Sequence, residues 1–134
     1  MAISDADIKK IISDPNGMEL LVDKSKELAL DLKNKKMTTS QIRALFGEVR
    51  QIEAEWDMEN KKDEAYRRLI LLRPKMAYRA RKERGEAVQL LVNILDKALV
   101  EVTQGDESKR DLRFRQFVEF FEAILAYHKA HGGN

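Results

Sequence analysis

Apolar residues recur three and four positions apart along nearly the whole chain, and no stretch alternates with the period of two that a half-buried strand needs. The pattern predicts an all-α protein, a single-domain bundle of five to six helices spanning residues 1–134. A short first helix is expected over Asp5–Ser13, ended by the breaker cluster Asp14-Pro15-Asn16-Gly17. The next helix puts Met18, Leu21, Val22, Leu28 and Leu32 on its core face and stops at the polar Asn34-Lys35-Lys36.

The third helix has the clearest start signal. Thr38 and Gln41 form a Thr-x-x-Gln capping box, with Met37 and Ile42 placed for a hydrophobic staple. Ile42, Leu45, Phe46, Val49, Ile52 and Trp56 then make one core-facing stripe. A polar stretch, Asp57–Glu64, leads to a helix with Tyr66, Leu69 and Ile70, which Pro74 should end or kink. Lys75–Arg84 reads as a fresh short helix, closed by Gly85. Val88, Leu91, Leu95, Ala98, Leu99 and Val102 define a further helix. A last one starts near Asp106 or Ser108, carries Phe114, Phe117, Val118, Phe121, Ile124, Leu125 and His128 on one face, and stops at Gly132-Gly133.

Composition narrows the class. Charged residues are 36% and apolar ones 43%, with six glycines and two prolines, which suits helices with wet outer faces. Absence of cysteine excludes disulfides and thiolate zinc sites. The acidic N-terminus has no apolar signal core, and the longest uncharged run, Ala87–Leu95, is too short to span a bilayer. A cytoplasmic location without membrane attachment is therefore expected.

Charge changes the picture most. Residues 67–84 hold eight Arg or Lys and one Glu, a local net charge of +7 inside a chain of net +2. At about 100° per residue, Lys75, Tyr78, Arg79 and Lys82 share one stripe, with Met76, Ala77 and Ala80 opposite. Arg81 flanks the stripe, and Arg84 points toward the apolar side near the helix end. Cations along a helix neutralise phosphates, and Tyr78 can stack on an exposed base. About five phosphate contacts would give a slope of log K against log salt of about −3 to −4. Three readings fit: nucleic-acid binding, docking of an acidic protein partner, or a solvated face.

Other residues carry weaker chemistry. His128 and His131 have a chelating spacing without an obvious third ligand, and histidine near a helix C-terminus also complements the dipole. They would serve a metal-dependent nuclease if there were one. Glu119 and Glu122 resemble paired carboxylates but sit within reach of Arg115 and Lys129 on a helix. No Gly-rich phosphate loop, Ser-His-Asp set or H-E-x-x-H is present, so no catalytic residue, metal or cofactor is expected. Phe120 and Tyr127 occupy a second face of the last helix, which completes a large core or meets another subunit.

Three segments together resemble the small subunit of the type III-A CRISPR effector (Csm) complex, over roughly residues 35–131. They are Thr38-Thr39-Ser40-Gln41-Ile42-Arg43, Arg73-Pro74-Lys75-Met76-Ala77-Tyr78 and Phe117-Val118-Glu119-Phe120-Phe121-Glu122-Ala123-Ile124-Leu125-Ala126-Tyr127-His128-Lys129. The resemblance implies an all-helical, non-enzymatic protein, present in several copies along a ribonucleoprotein filament in antiviral defence. It would line the channel that holds guide (CRISPR) RNA paired with target RNA and touch other Csm subunits and copies of itself. Target cleavage would belong to the backbone subunit, and DNA cleavage and cyclic oligoadenylate synthesis to the large subunit.

Arg73, Lys75 and Tyr78 match the family's basic-Pro-Lys-x-Ala-Tyr pattern, and Arg43 the arginine after the capping box. Lys82 aligns with a family arginine, while Arg81 stands where the pattern has glycine. The expected RNA-binding set is thus Arg43, Arg73, Lys75, Tyr78, Arg79, Arg81, Lys82 and Arg84. Phe120 and Tyr127 are the expected subunit contacts, with a homodimer of the isolated protein left open. The competing reading is a helical adaptor that docks acidic proteins without touching RNA.

Overall fold

The order of helices follows the punctuation of the chain. In the computed structural model, which describes residues 3–132, α1 spans Asp5–Ser13, α2 Met18–Asn34, α3 Thr39–Trp56, α4 Lys62–Glu83, α5 Glu86–Thr103 and α6 Arg110–Ala130. Single 3₁₀ turns, Glu59–Lys61 and Glu107–Lys109, lead into α4 and α6. No strand occurs among the described residues. The expected stop at Gly132-Gly133 is described only as far as Gly132, whose φ is +82°; Gly133 lies outside the described residues.

Local caps explain the boundaries. Ser4 and Asp7 make a reciprocal capping box on α1, and Thr38 and Gln41 make the expected one on α3, at 3.1 and 2.9 Å. Gly17 is required by space: a Cβ there would meet the Lys10 carbonyl oxygen at 2.4 Å, where α1 ends against the start of α2. The first turn of α6 comes after the 3₁₀ turn, so this helix starts at Arg110 and not at Asp106 or Ser108. Asp106 instead accepts the Ser108 amide and caps the 3₁₀ turn.

Helix α6 lies at the centre, packed by α1, α2, α3 and α5. It is buried around most of its circumference: Phe114, Phe117, Val118, Phe120, Phe121 and Ile124 all enter the core. Phe46 of α3 meets Phe121 at 5.0 Å between ring centroids, and Trp56 stacks on Phe114 at 4.0 Å. This arrangement corrects the expectation for Phe120. Its side chain is fully buried, so it completes the core and has no surface to offer a neighbouring subunit. Packing of α2 on that side, with Ser25 Oγ reaching the Phe120 carbonyl oxygen, closes the face. Tyr127 stays half-buried and stacks on His131 at 6.3 Å.

Two polar side chains of α6 hold the bundle together. Gln116 is buried, and its Nε2 donates to the carbonyls of Ile11, Ile12 and Asp14, satisfying the orphan acceptors at the end of α1. Arg113 is buried with Nε donating to the Val102 carbonyl at 3.0 Å, a cation at the C-terminus of α5. Val22, by contrast, leaves the core face expected of it and is exposed. The buried stripe of α2 is Leu21, Ser25, Leu28, Ala29 and Leu32.

Pro74 neither ends α4 nor opens a new helix; the expected fresh helix at Lys75–Arg84 is the second half of a continuous one. Ala65, Leu69, Leu72, Met76 and Ala80 stay in phase across it as one buried stripe. Interior proline costs a helix about 3 kcal/mol, and burial on both sides of the break offsets it. Both Pro74 and Ile70 are exposed, so water can reach the Ile70 carbonyl that loses its partner. The helix ends instead at Arg84, held left-handed at φ 54°, with Gly85 beginning the next cap.

Candidate nucleic-acid interface

Helix α4 packs on α3 along one edge and on α5 along the other, leaving its outer face to solvent. That placement sorts the cations of residues 67–84. Arg68 turns to α3, where it pairs with Glu55 and donates to Gln51 at 3.1 Å, with Glu48 at 3.6 Å. Arg73 turns to α5 and meets Asp96 through Nε at 2.7 Å and Nη2 at 3.2 Å. The hydrogen bonding that Arg73 donates to Asp96, opposed by burial and reinforced by the carboxylate charge, raises the Arg73 pKa. Arg79 pairs with Glu83 one turn on, at 3.2 Å.

Arg67, Lys75, Arg81, Lys82 and Arg84 are exposed and form no ion pair among the described residues. Arg67 was not on the expected list. Because α4 is continuous, Arg67, Leu71, Lys75, Tyr78 and Lys82 share one face at about 100° per residue. A break at Pro74 would have reset that phase, which is why the sequence hid it. The stripe runs about 22 Å along the helix, at 1.5 Å per residue. Tyr78 is 68% exposed in the middle of it, and Leu71 51%.

The α3–α4 junction forms a groove of about 380 Å³. Leu45, Leu72 and Met76 make its floor, and Lys75, Tyr78, Arg79 and Lys82 line it from α4. Helical phasing had grouped those last four, and the structure does bring them together. Ala44, Glu48 and Glu83 complete the wall. Glu83 is fixed from two sides: Gln41 Nε2 donates to its Oε1 at 3.0 Å, and Arg79 Nη1 to its Oε2 at 3.2 Å. The capping glutamine of α3 therefore also orders the groove wall, a double use that the sequence did not signal.

The remaining expected residues lie apart. Arg43 is exposed on α3 and does not line the groove; Arg73 lines a different depression, with Pro74, Ala77 and Asp96. Arg81 is an ordinary helical residue at the position where the family pattern has glycine, and the left-handed turn falls three residues later at Arg84. His128 is fully buried, with Nε2 donating to the Met37 carbonyl at 2.8 Å and Nδ1 3.3 Å from Thr39 Oγ1. Both ring nitrogens serve the start of α3. No group of three or more His, Asp or Glu is arranged to hold a metal ion among the described residues, and no helix there is long and apolar enough to cross a membrane.

Helix α4 thus puts a cationic face on the outside of a bundle whose remaining residues carry a net negative charge. The family model described as Csm2 Type III-A matches residues 15–134. The chain belongs to that family. It is accordingly a small subunit of a type III-A Csm complex, built to assemble with the other Csm subunits. The matched range takes in α2, before the segments that carried the resemblance, and leaves only α1 outside. No curated protein and no solved structure matches the chain significantly.

Proposed function

We propose that this subunit is non-catalytic and contacts guide or target RNA through the backbone phosphates, using the outer face of α4. The observation that carries this reading is the division of cations on α4. Arg68 and Arg73 are spent on neighbouring helices, while Arg67, Lys75, Arg81, Lys82 and Arg84 are left unpaired among the described residues. Unpaired cations in water repel one another, and a polyanion relieves that repulsion while releasing its counterions. Phosphate contacts from a rigid helix fix the position of the strand and carry no sequence information themselves.

Binding of unrelated single-stranded RNAs of equal length, titrated at several salt concentrations, tests this. The expected slope of log K against log salt is about −3 to −4, with similar affinity for scrambled sequences. Salt-insensitive binding, or affinity confined to one sequence, would remove the phosphate reading. An adaptor that docks acidic proteins without RNA would instead keep its partners after nuclease treatment and bind no RNA.

A further inference from the structure

We propose that the α3–α4 groove receives a single unstacked nucleobase bearing an exocyclic amine, read by the carboxylate of Glu48, while Lys75 and Lys82 hold the flanking phosphates. This rests on the RNA reading above and adds a recognition element to it. A pure phosphate site needs neither a concave apolar floor nor acids, and carboxylates inside one repel the ligand. This groove has both. Its floor is Leu45, Leu72 and Met76, its volume of about 380 Å³ falls in the range of small-ligand sites, and Tyr78 stands beside it as an exposed stacking surface.

The two acids differ in what they have left to offer. Glu83 already accepts from Gln41 and Arg79, one bond on each oxygen. Glu48 is only loosely engaged, with Oε2 at 3.6 Å from Arg68, a cation already held by Glu55. It lines the groove from α3, across from Lys75, Tyr78, Arg79 and Lys82 of α4. A carboxylate accepts from the amino group of cytosine, adenine or guanine. Uracil presents the O4 carbonyl where cytosine carries its amine, so acceptor would meet acceptor. Cytosine and uracil have nearly the same size and stacking surface, which makes them the discriminating pair.

The experiment compares oligocytidine and oligouridine of equal length on the full chain at one salt concentration, then repeats both with E48Q. Cytosine is expected to bind about three- to tenfold more tightly, the scale of one hydrogen bond to a charged group that is partly solvated. In E48Q the preference should vanish, because an amide both donates and accepts and so serves either base; Arg68 keeps Glu55 and Gln51, so the fold is retained. Equal, salt-dependent binding of the two RNAs by the wild type would overturn the base site and leave the phosphate reading standing. A preference that persists in E48Q would overturn the assignment to Glu48. Failure to bind either RNA would overturn the phosphate reading and the base site with it.

Discussion

Arg73 and Asp96 form a two-point ion pair across the α4–α5 junction, Nε to Oδ1 at 2.7 Å and Nη2 to Oδ2 at 3.2 Å. The arginine beside Pro74 therefore works for the bundle and not for the groove. Arg73→Gln is expected to lower stability by less than about 1 kcal/mol, since both partners are well exposed, and to change RNA affinity by less than about twofold. Denaturant midpoints and salt titrations measure the two effects separately. A loss of affinity as large as that from Lys75→Gln would return Arg73 to the RNA-binding set.

Continuity of α4 through Pro74 extends the proposed RNA-binding stripe back to Arg67. Replacing Arg67, Lys75 and Lys82 together by glutamine should reduce the magnitude of the salt slope by about 2, at about 0.7 per lost contact to a single strand. Helical content by circular dichroism should not change, because all three side chains are exposed. Arg67→Gln alone should account for about a third of the effect; an unaltered slope in that variant would confine the stripe to the segment after the proline.

Gln116→Leu is expected to be among the more damaging single changes. It fills similar space but leaves the Ile11, Ile12 and Asp14 carbonyls without their donor. Loss of buried hydrogen bonds of this kind costs about 1–3 kcal/mol. Hydrogen exchange should speed up in α1 before the rest of the bundle, because α1 is the helix that Gln116 secures.

Asp111 links acidity to the aromatic end of the bundle. The hydrogen bond from Lys62, at 2.7 Å, chiefly holds its carboxyl below the ordinary aspartate range; burial pulls the other way, and the Trp56 indole N–H at 2.9 Å adds to the lowering. A depressed folded pKa means that the unfolded chain takes up the proton first on acidification. The contribution is thus whole above the unfolded value of about 3.9 and fades as pH falls through the folded one. Asp111→Asn should show a shallower loss of stability below that pH than the wild type. Fluorescence of Trp56, the chain's one tryptophan, reports both the unfolding and the lost indole contact. Identical acid profiles would show that the pairing adds nothing to stability.

The geometry of the candidate site is half legible in the sequence. Lys75, Tyr78, Arg79 and Lys82 emerge from helical phase alone, because phase is a property of one helix. For the same reason the Arg73–Asp96 ion pair and the burial of Phe120 were not legible: what meets each side chain lies on another helix. Asp96 is 23 residues from Arg73, and the α2 face that covers Phe120 comes from far earlier in the chain. Pro74 is a different case. The in-phase series Ala65, Leu69, Leu72, Met76 and Ala80 was present in the sequence, but a local rule about proline outweighed it.

By itself, the sequence determined what depends on neighbours within a turn or two. That includes the all-helical class, the Thr38–Gln41 capping box, the apolar stripes, the dense positive charge and, through its ordered motifs, the family. Tertiary structure alone decided which cations stay free, where Glu48 and Glu83 stand relative to them, and that α4 lies on the outside. The physical reason is range. Helix periodicity and capping are short-range and written along the chain, whereas the choice of ion-pair partner follows from how helices pack, which no local spacing encodes.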